Sequence, residues 1–163
     1  MEMRVERLDH LGIVAGVIRD LKLIEKIDQR IPAMPDESIT TGEAIAGMLL
    51  CGLGFSDRPL TLTPQFFASR PIGYFLGRSM DPEWFNRFKL GRSLEDVYDY
   101  GCDLLFAELS HGVCMQEQVD QRFNHLDTTS FSVSGAYENC TDEQAITLTY
   151  GYSRDKRPDL KQA

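Results

Sequence analysis

The 163-residue chain has no run of about 18 consecutive apolar residues, so no membrane-spanning helix is expected. The opening Met1-Glu2-Met3-Arg4-Val5-Glu6-Arg7 lacks the apolar core of an export signal, and a cytoplasmic location is expected. Cysteine is sparse: Cys51, Cys102, Cys114 and Cys140 form no C-x-x-C pair. In a chain without an export signal these read as reduced, mostly buried thiols. His111 and Cys114, with Cys102 as a third, have a spacing that a metal could use, but the set is too thin for a zinc site. Excess positive charge is also missing. A net charge of −8 argues against a dedicated nucleic-acid-binding domain, which is usually basic. Internal repeats and low-complexity stretches are absent too.

What is present is enough apolar residues, 42%, for a real core. Two helical patterns fill residues 8–31. The first runs through Leu11, Ile13, Val14, Val17 and Ile18; the second uses Leu21, Leu23, Ile24, Ile27 and Ile31, with Asp20 as its expected cap. Pro32 to Ser38 reads as a loop. Thr40 and Glu43 have capping-box spacing ahead of an apolar run from Ala44 to Leu53. The small residues Ala44, Ala46, Gly47, Gly52 and Gly54 mark this helix as central and closely packed. Residues 55–83 are punctuated by Pro59, Pro64, Pro71 and Pro82, and read as short helices pinned to the core by Phe66, Phe67, Tyr74, Phe75 and Leu76. Two further helices are expected over 84–118, with Gly91-Arg92-Ser93 interrupting or starting the first. Arg87, Lys89 and Arg92 form the basic cluster of this region; they read as a solvated face or as contacts to DNA phosphates.

Beyond Arg122 the periodicity changes to two. Phe123, Asp127, Phe131 and Val133 would share one strand face, and Leu126, Thr128, Ser130 and Ser132 the other. Ala145 to Tyr152 reads as a second strand that would pair antiparallel with the first, and the tail from Ser153 as polar and exposed. Aspartate is a poor strand former and is costly to bury unpaired. Asp127 is therefore either a ligand for a hard cation or a strand-end residue capping a turn. A serine nucleophile at Ser130 or Ser132 finds no G-x-S-x-G and no paired histidine, and His125 reads as half-buried beside Asp127.

Two segments carry a resemblance. His125-Leu126-Asp127-Thr128-Thr129-Ser130-Phe131-Ser132-Val133-Ser134-Gly135 and the later Thr149-Tyr150-Gly151-Tyr152-Ser153-Arg154-Asp155-Lys156-Arg157-Pro158-Asp159-Leu160-Lys161-Gln162 resemble bacterial insertion-sequence transposases of the DDE type. Leu8-Asp9-His10-Leu11-Gly12, Thr41-Gly42-Glu43-Ala44, Gly52-Leu53-Gly54-Phe55 and Leu90-Gly91-Arg92 resemble the helical region that precedes the catalytic core in one such subfamily. The resemblance implies an RNase H-like core using Mg²⁺ or Mn²⁺, with Asp127 as the first acidic residue of the triad. It also implies DNA contacts at Arg154, Lys156, Arg157 and Lys161, whose segment 151–163 has a local charge of +2.

The expected fold is therefore mainly α with a C-terminal β-hairpin: a helical domain over 1–118, then over 119–163 the truncated start of an RNase H-like α/β core. The expected function is that of an N-terminal transposase fragment, without strand cleavage on its own, because the second aspartate and the glutamate of such families lie further downstream. Its partners would be transposon-end DNA, further copies of itself, a full-length transposase or a separately encoded C-terminal half. The competing readings are a non-catalytic regulator of transposition and an inert helical interaction module.

Overall fold

The computed structural model describes residues 6–54 and 59–120, together with the two-residue strands at 132–133, 149–150 and 161–162. The chain divides into two compact units, Met1–Asp120 and Gln121–Ala163.

The first unit is helical. Helix α1, Leu11–Asp20, buries Leu11, Ala15 and Ile18, one side of the helix at spacings of four and three. Ile13 and Val17, expected on its apolar stripe, are exposed instead. A short turn leads to α2, Leu23–Asp28, whose N-cap is Lys22 in the left-handed conformation. Asp20 does not cap α2. The chain reverses sharply at Lys22, and the expected cap stays in the last turn of α1.

Helix α3, Thr41–Leu53, is the centre of the unit. It buries seven of its thirteen residues and packs against α1, α2, α4 and α6. Its start is the expected capping box: the Glu43 amide donates to Thr40 Oγ1 at 3.1 Å, and the Thr40 amide donates to Glu43 Oε2 at 2.9 Å. Gly42 lets α2 come close. A Cβ there would lie 2.5 Å from the Ile24 carbonyl oxygen. Gly47 does the same for an aromatic ring, since a Cβ there would lie 2.5 Å from the ring of Phe85.

The proline-punctuated stretch forms short helical pieces, as its sequence suggests. A 3-10 turn at Leu60–Leu62 runs into α4, Thr63–Phe67; α5 is Ile72–Leu76, and a second 3-10 turn covers Pro82–Phe85. Phe66, Phe67, Phe75 and Phe85 are buried, whereas Tyr74 is exposed. The Phe66 and Phe67 rings meet edge to face at 5.1 Å, and Phe67 and Phe85 lie 5.3 Å apart, distances at which aromatic pairs attract. Arg70 covers the Phe66 ring at 3.9 Å and donates to the Phe66 carbonyl.

Helix α6, Arg87–Tyr100, starts earlier than the glycine suggested and runs straight through Gly91. Asn86 caps it, accepting from the amides of Phe88 and Lys89 at 3.1 Å each. Glycine inside a helix costs about 1 kcal/mol relative to alanine. The burial of Leu90 on α3, with Lys89 and Ser93 beside it, outweighs that cost. Helix α7, Cys102–Gln116, is largely apolar yet buries only Leu105. Polar ties hold it to the start of the chain: Gln116 Nε2 donates to the Asp20 carbonyl, and Arg30 pairs with Glu108.

The second unit departs from expectation. Its described strands are β1 (Ser132–Val133), β2 (Thr149–Tyr150) and β3 (Lys161–Gln162), in the order β1-β3-β2. Both outer strands run antiparallel to β3: Ser132 and Thr149 face Gln162, while Val133 and Tyr150 face Lys161. The expected hairpin would have paired β1 directly with β2; here they are separated by a strand from the tail that was read as exposed. Alternation of apolar and polar residues specifies a strand and its faces, but not which neighbour completes its hydrogen bonds. The first unit contains no strand among its described residues. The RNase H-like α/β core and the C-terminal β-hairpin are thus replaced by a helical unit and three two-residue strands.

Candidate functional site

Of the residues singled out from sequence, Asp127, Arg154, Lys156 and Arg157 lie outside the described residues, as do His125, Ser130 and the chain's fourth cysteine, Cys140. Lys161 is described only as a backbone position in β3. Among the described residues no three His, Cys, Asp or Glu side chains gather as a metal site. Cys102 and His111 are exposed on α7, and Cys114 is half-buried. Burial pushes the Cys51 thiol up from its ordinary value, which leaves it protonated and a weak nucleophile near neutrality.

The basic cluster at the start of α6 is split by the fold. Arg87 and Arg92 reach solvent, whereas Lys89 is buried and its Nζ lies 2.7 Å from Glu37 Oε1. Burial pushes the Glu37 carboxyl up, but the hydrogen bond and charge of Lys89 outweigh it, and the net position is below the ordinary 4.5. This ion pair closes one side of a cleft of about 210 Å³ that also involves Trp84, Asn86 and Arg92. No sequence pattern links Glu37 to Lys89; the pair exists because α6 crosses α3 and brings the loop after α2 over its first turn.

The start of α3 forms a second polar centre. The Gly42 amide donates to Asp28 Oδ1 at 2.7 Å, so Asp28 places a carboxylate on the helix N-terminus. Burial raises the Asp28 pKa above its ordinary 3.8, against hydrogen bonds from Thr40 and Gly42 that lower it; Glu43 adds a smaller upward push. Glu43 is itself buried, and Arg78 grips both of its oxygens at 2.5 and 2.7 Å while donating to the Ser38 carbonyl. The capping box was legible in sequence, but Asp28 and Arg78 were not. The segment Thr41-Gly42-Glu43-Ala44, which carries part of the resemblance, is thus a structural joint: it closes a helix start onto α2 and onto the Arg78 loop.

The outer face of α6 is the most distinctive exposed surface. Phe88, Leu94 and Tyr98 are 63%, 45% and 57% exposed. Arg87 and Arg92 are exposed in the first half of the helix, and Glu95 and Asp99 in the second. The guanidinium of Arg87 lies 4.6 Å from the centre of the Phe88 ring. A Cβ added at Gly91 would meet nothing within 4 Å, so the middle of the face is open. Two positive and two negative charges leave it without net charge, yet strongly polarised along the helix axis.

No helix among the described residues is long and apolar enough to cross a membrane. Comparison with curated proteins gives no match, and comparison with solved structures gives none either. Residues 3–111, which span α1 to α6 and most of α7, match the family described as a domain of unknown function, DUF4277, and the chain belongs to that family.

Proposed function

We propose that this chain belongs to the N-terminal region of an insertion-sequence transposase, in which the helical unit serves end binding and subunit assembly. The observation that carries this reading is the sequence signature His125-Leu126-Asp127-Thr128-Thr129-Ser130, followed by Gly151-Tyr152-Ser153-Arg154-Asp155-Lys156-Arg157-Pro158-Asp159-Leu160-Lys161-Gln162, directly after a self-contained helical unit that ends at Asp120. Asp127 is assigned as the first carboxylate of a cation-dependent phosphoryl-transfer site that takes Mg²⁺ or Mn²⁺. That chemistry needs further carboxylates beside Asp127, and the activity proposed for this chain is binding of end DNA.

Phosphate contacts are assigned to Arg154, Lys156, Arg157 and Lys161. Arg87 and Arg92 are weaker candidates, because Glu95 and Asp99 on the same helix face repel phosphate. The same helical unit also suits a regulator that binds ends or joins a full-length transposase without catalysis. Its well-formed core is what supports that second reading.

The test is a binding titration of the purified chain against its terminal inverted-repeat DNA over a range of salt. Salt-sensitive binding that weakens when Arg154, Lys156 and Arg157 are replaced by alanine is the expected result. Absence of any salt-sensitive binding, together with no association with a full-length relative, would overturn both readings.

A further inference from the structure

We propose that α7 is an exchangeable arm: Gly101 straightens, α6 and α7 join into one helix, and α7 docks on a second copy of this chain while that copy's α7 docks in return. The link between the two helices is a single residue. Gly101 ends α6 and starts α7 at φ 104° and ψ 106°. That backbone conformation is open to glycine and closed to residues with a Cβ. A one-residue link held so far from helical geometry has no slack, and running the chain straight on relieves it. Glycine does not forbid the straight form, since α6 already runs through Gly91.

The residues on either side of the link suit the longer helix. Leu90, Leu94, Val97, Gly101 and Leu104 follow one another at spacings of four, three, four and three. On a continuous helix they form one apolar stripe. The bend at Gly101 interrupts that stripe, and Leu94 and Leu104 are left 45% and 52% exposed. In the exchanged dimer two straightened helices lie antiparallel about a two-fold axis at Gly101, where the missing side chains let them come close. Leu94 and Leu104 then lie between them.

The seat selects the occupant. Helix α7 packs on α2 and α6, with Leu105 as its buried residue. Glu108 pairs with Arg30, while Gln116 donates to the Asp20 carbonyl and accepts from Lys26 at 3.1 Å. Asp20, Lys26 and Arg30 stay with the body of the unit when α7 leaves it. A second copy therefore offers the same set, and its α7 brings the matching carboxylate and amide eight residues apart. Exchange keeps these ties, relaxes Gly101 and covers the interrupted stripe.

The experiment is sedimentation equilibrium of the full 163-residue chain under reducing conditions, because Cys102 is exposed beside the link. Circular dichroism confirms helix content in each variant. The wild type should form a dimer. Gly101→Ala should tighten it about tenfold or more, because alanine strains the bent form and suits the straight one. Three glycines inserted after Gly101 should shift the chain to monomer. Leu104→Glu should also weaken the dimer, whereas Phe106→Glu, on the far side of the straightened helix, should leave it intact. Arg30→Glu and Glu108→Arg each set like charges in the seat. Mixed together, these two variants should associate about tenfold more tightly than either alone, because exchange restores both ion pairs between chains. A Gly101→Ala chain that stays monomeric overturns the proposal. So does a dimer that ignores the glycine insertion, or a mixture no tighter than its components. No DNA enters the measurement, so the transposase reading stands or falls separately.

Discussion

Helices α3 and α7 are both largely apolar and of similar length, thirteen and fifteen residues, yet α3 buries seven residues and α7 buries one. The difference lies in side-chain size. Along α3 the buried residues are mostly small: Thr41, Gly42, Ala44, Ala46 and Gly47, with Glu43 and Leu50. Four other helices come up to its surface. Along α7 the residues are large (Leu104, Phe106, Leu109, Met115), and the helix is held at the edge by polar ties at Glu108 and Gln116. Apolar composition alone does not place a helix at the centre; what does is a surface that neighbours can approach closely.

The largest test of that contrast is Phe67→Ala. It removes a fully buried ring that touches both Phe66 and Phe85, and should cost about 4 kcal/mol in chemical unfolding. Gly42→Ala should come next, at about 2 kcal/mol, because the new methyl meets the backbone of α2 rather than a movable side chain. Thr40→Ala removes one half of the capping box and should cost about 1 kcal/mol. At the other extreme, Phe106→Ala removes a ring of the same size that is 75% exposed, and should shift stability by less than about 0.5 kcal/mol. The Phe67 ring belongs to α4 but packs beside Gly47 of α3; if Phe106→Ala costs as much as Phe67→Ala, the surroundings of α3 and α7 do not differ as described.

Acid sharpens the comparison around the core. The folded pKa of Glu37 lies below 4.5, so the stability it contributes is present above 4.5 and is lost as pH falls through the lowered value. Asp28 acts with opposite sign: its folded pKa lies above 3.8, so losing its proton as pH rises through that window costs stability. Glu37→Gln should therefore be less stable than wild type at neutral pH, with Lys89 left buried without its partner. It should also lose less on acidification. Unfolding curves from pH 7 down to about 3 would show this as a flatter acid limb.

The parts of the fold legible in sequence were those written in local spacing. Thr40 and Glu43 three residues apart announced the start of α3, and the prolines with Phe66, Phe67 and Phe75 announced short pinned helices. The parts that depend on partners remote in sequence were not legible. Gly91 looked like a helix break because the gain from burying Leu90 on α3 has no signature around residue 91. Lys89 looked like a sibling of Arg87 and Arg92 until its distant partner Glu37 came into view. The strand segments were read as a hairpin because neighbours in sequence usually pair, whereas both β1 and β2 pair with β3. Of the candidate site, the arginines of α6 were anticipated. The polarised, glycine-centred face they belong to emerges only once Glu95, Leu94 and Tyr98 are seen beside them.

The missing side chain at Gly47 does more than admit the Phe85 ring. If α3 advanced by one residue along its own screw, about 1.5 Å with a turn of about 100°, Ala46 or Met48 would arrive under that ring, and neither can stand where a carbon would be 2.5 Å from it. Phe85 thus works like a detent, indexing the helix lengthwise as well as setting its distance from its neighbours. The Gly42 amide comes to rest opposite the carboxylate of Asp28 partly because a ring from a distant turn has already fixed how far along the helix sits.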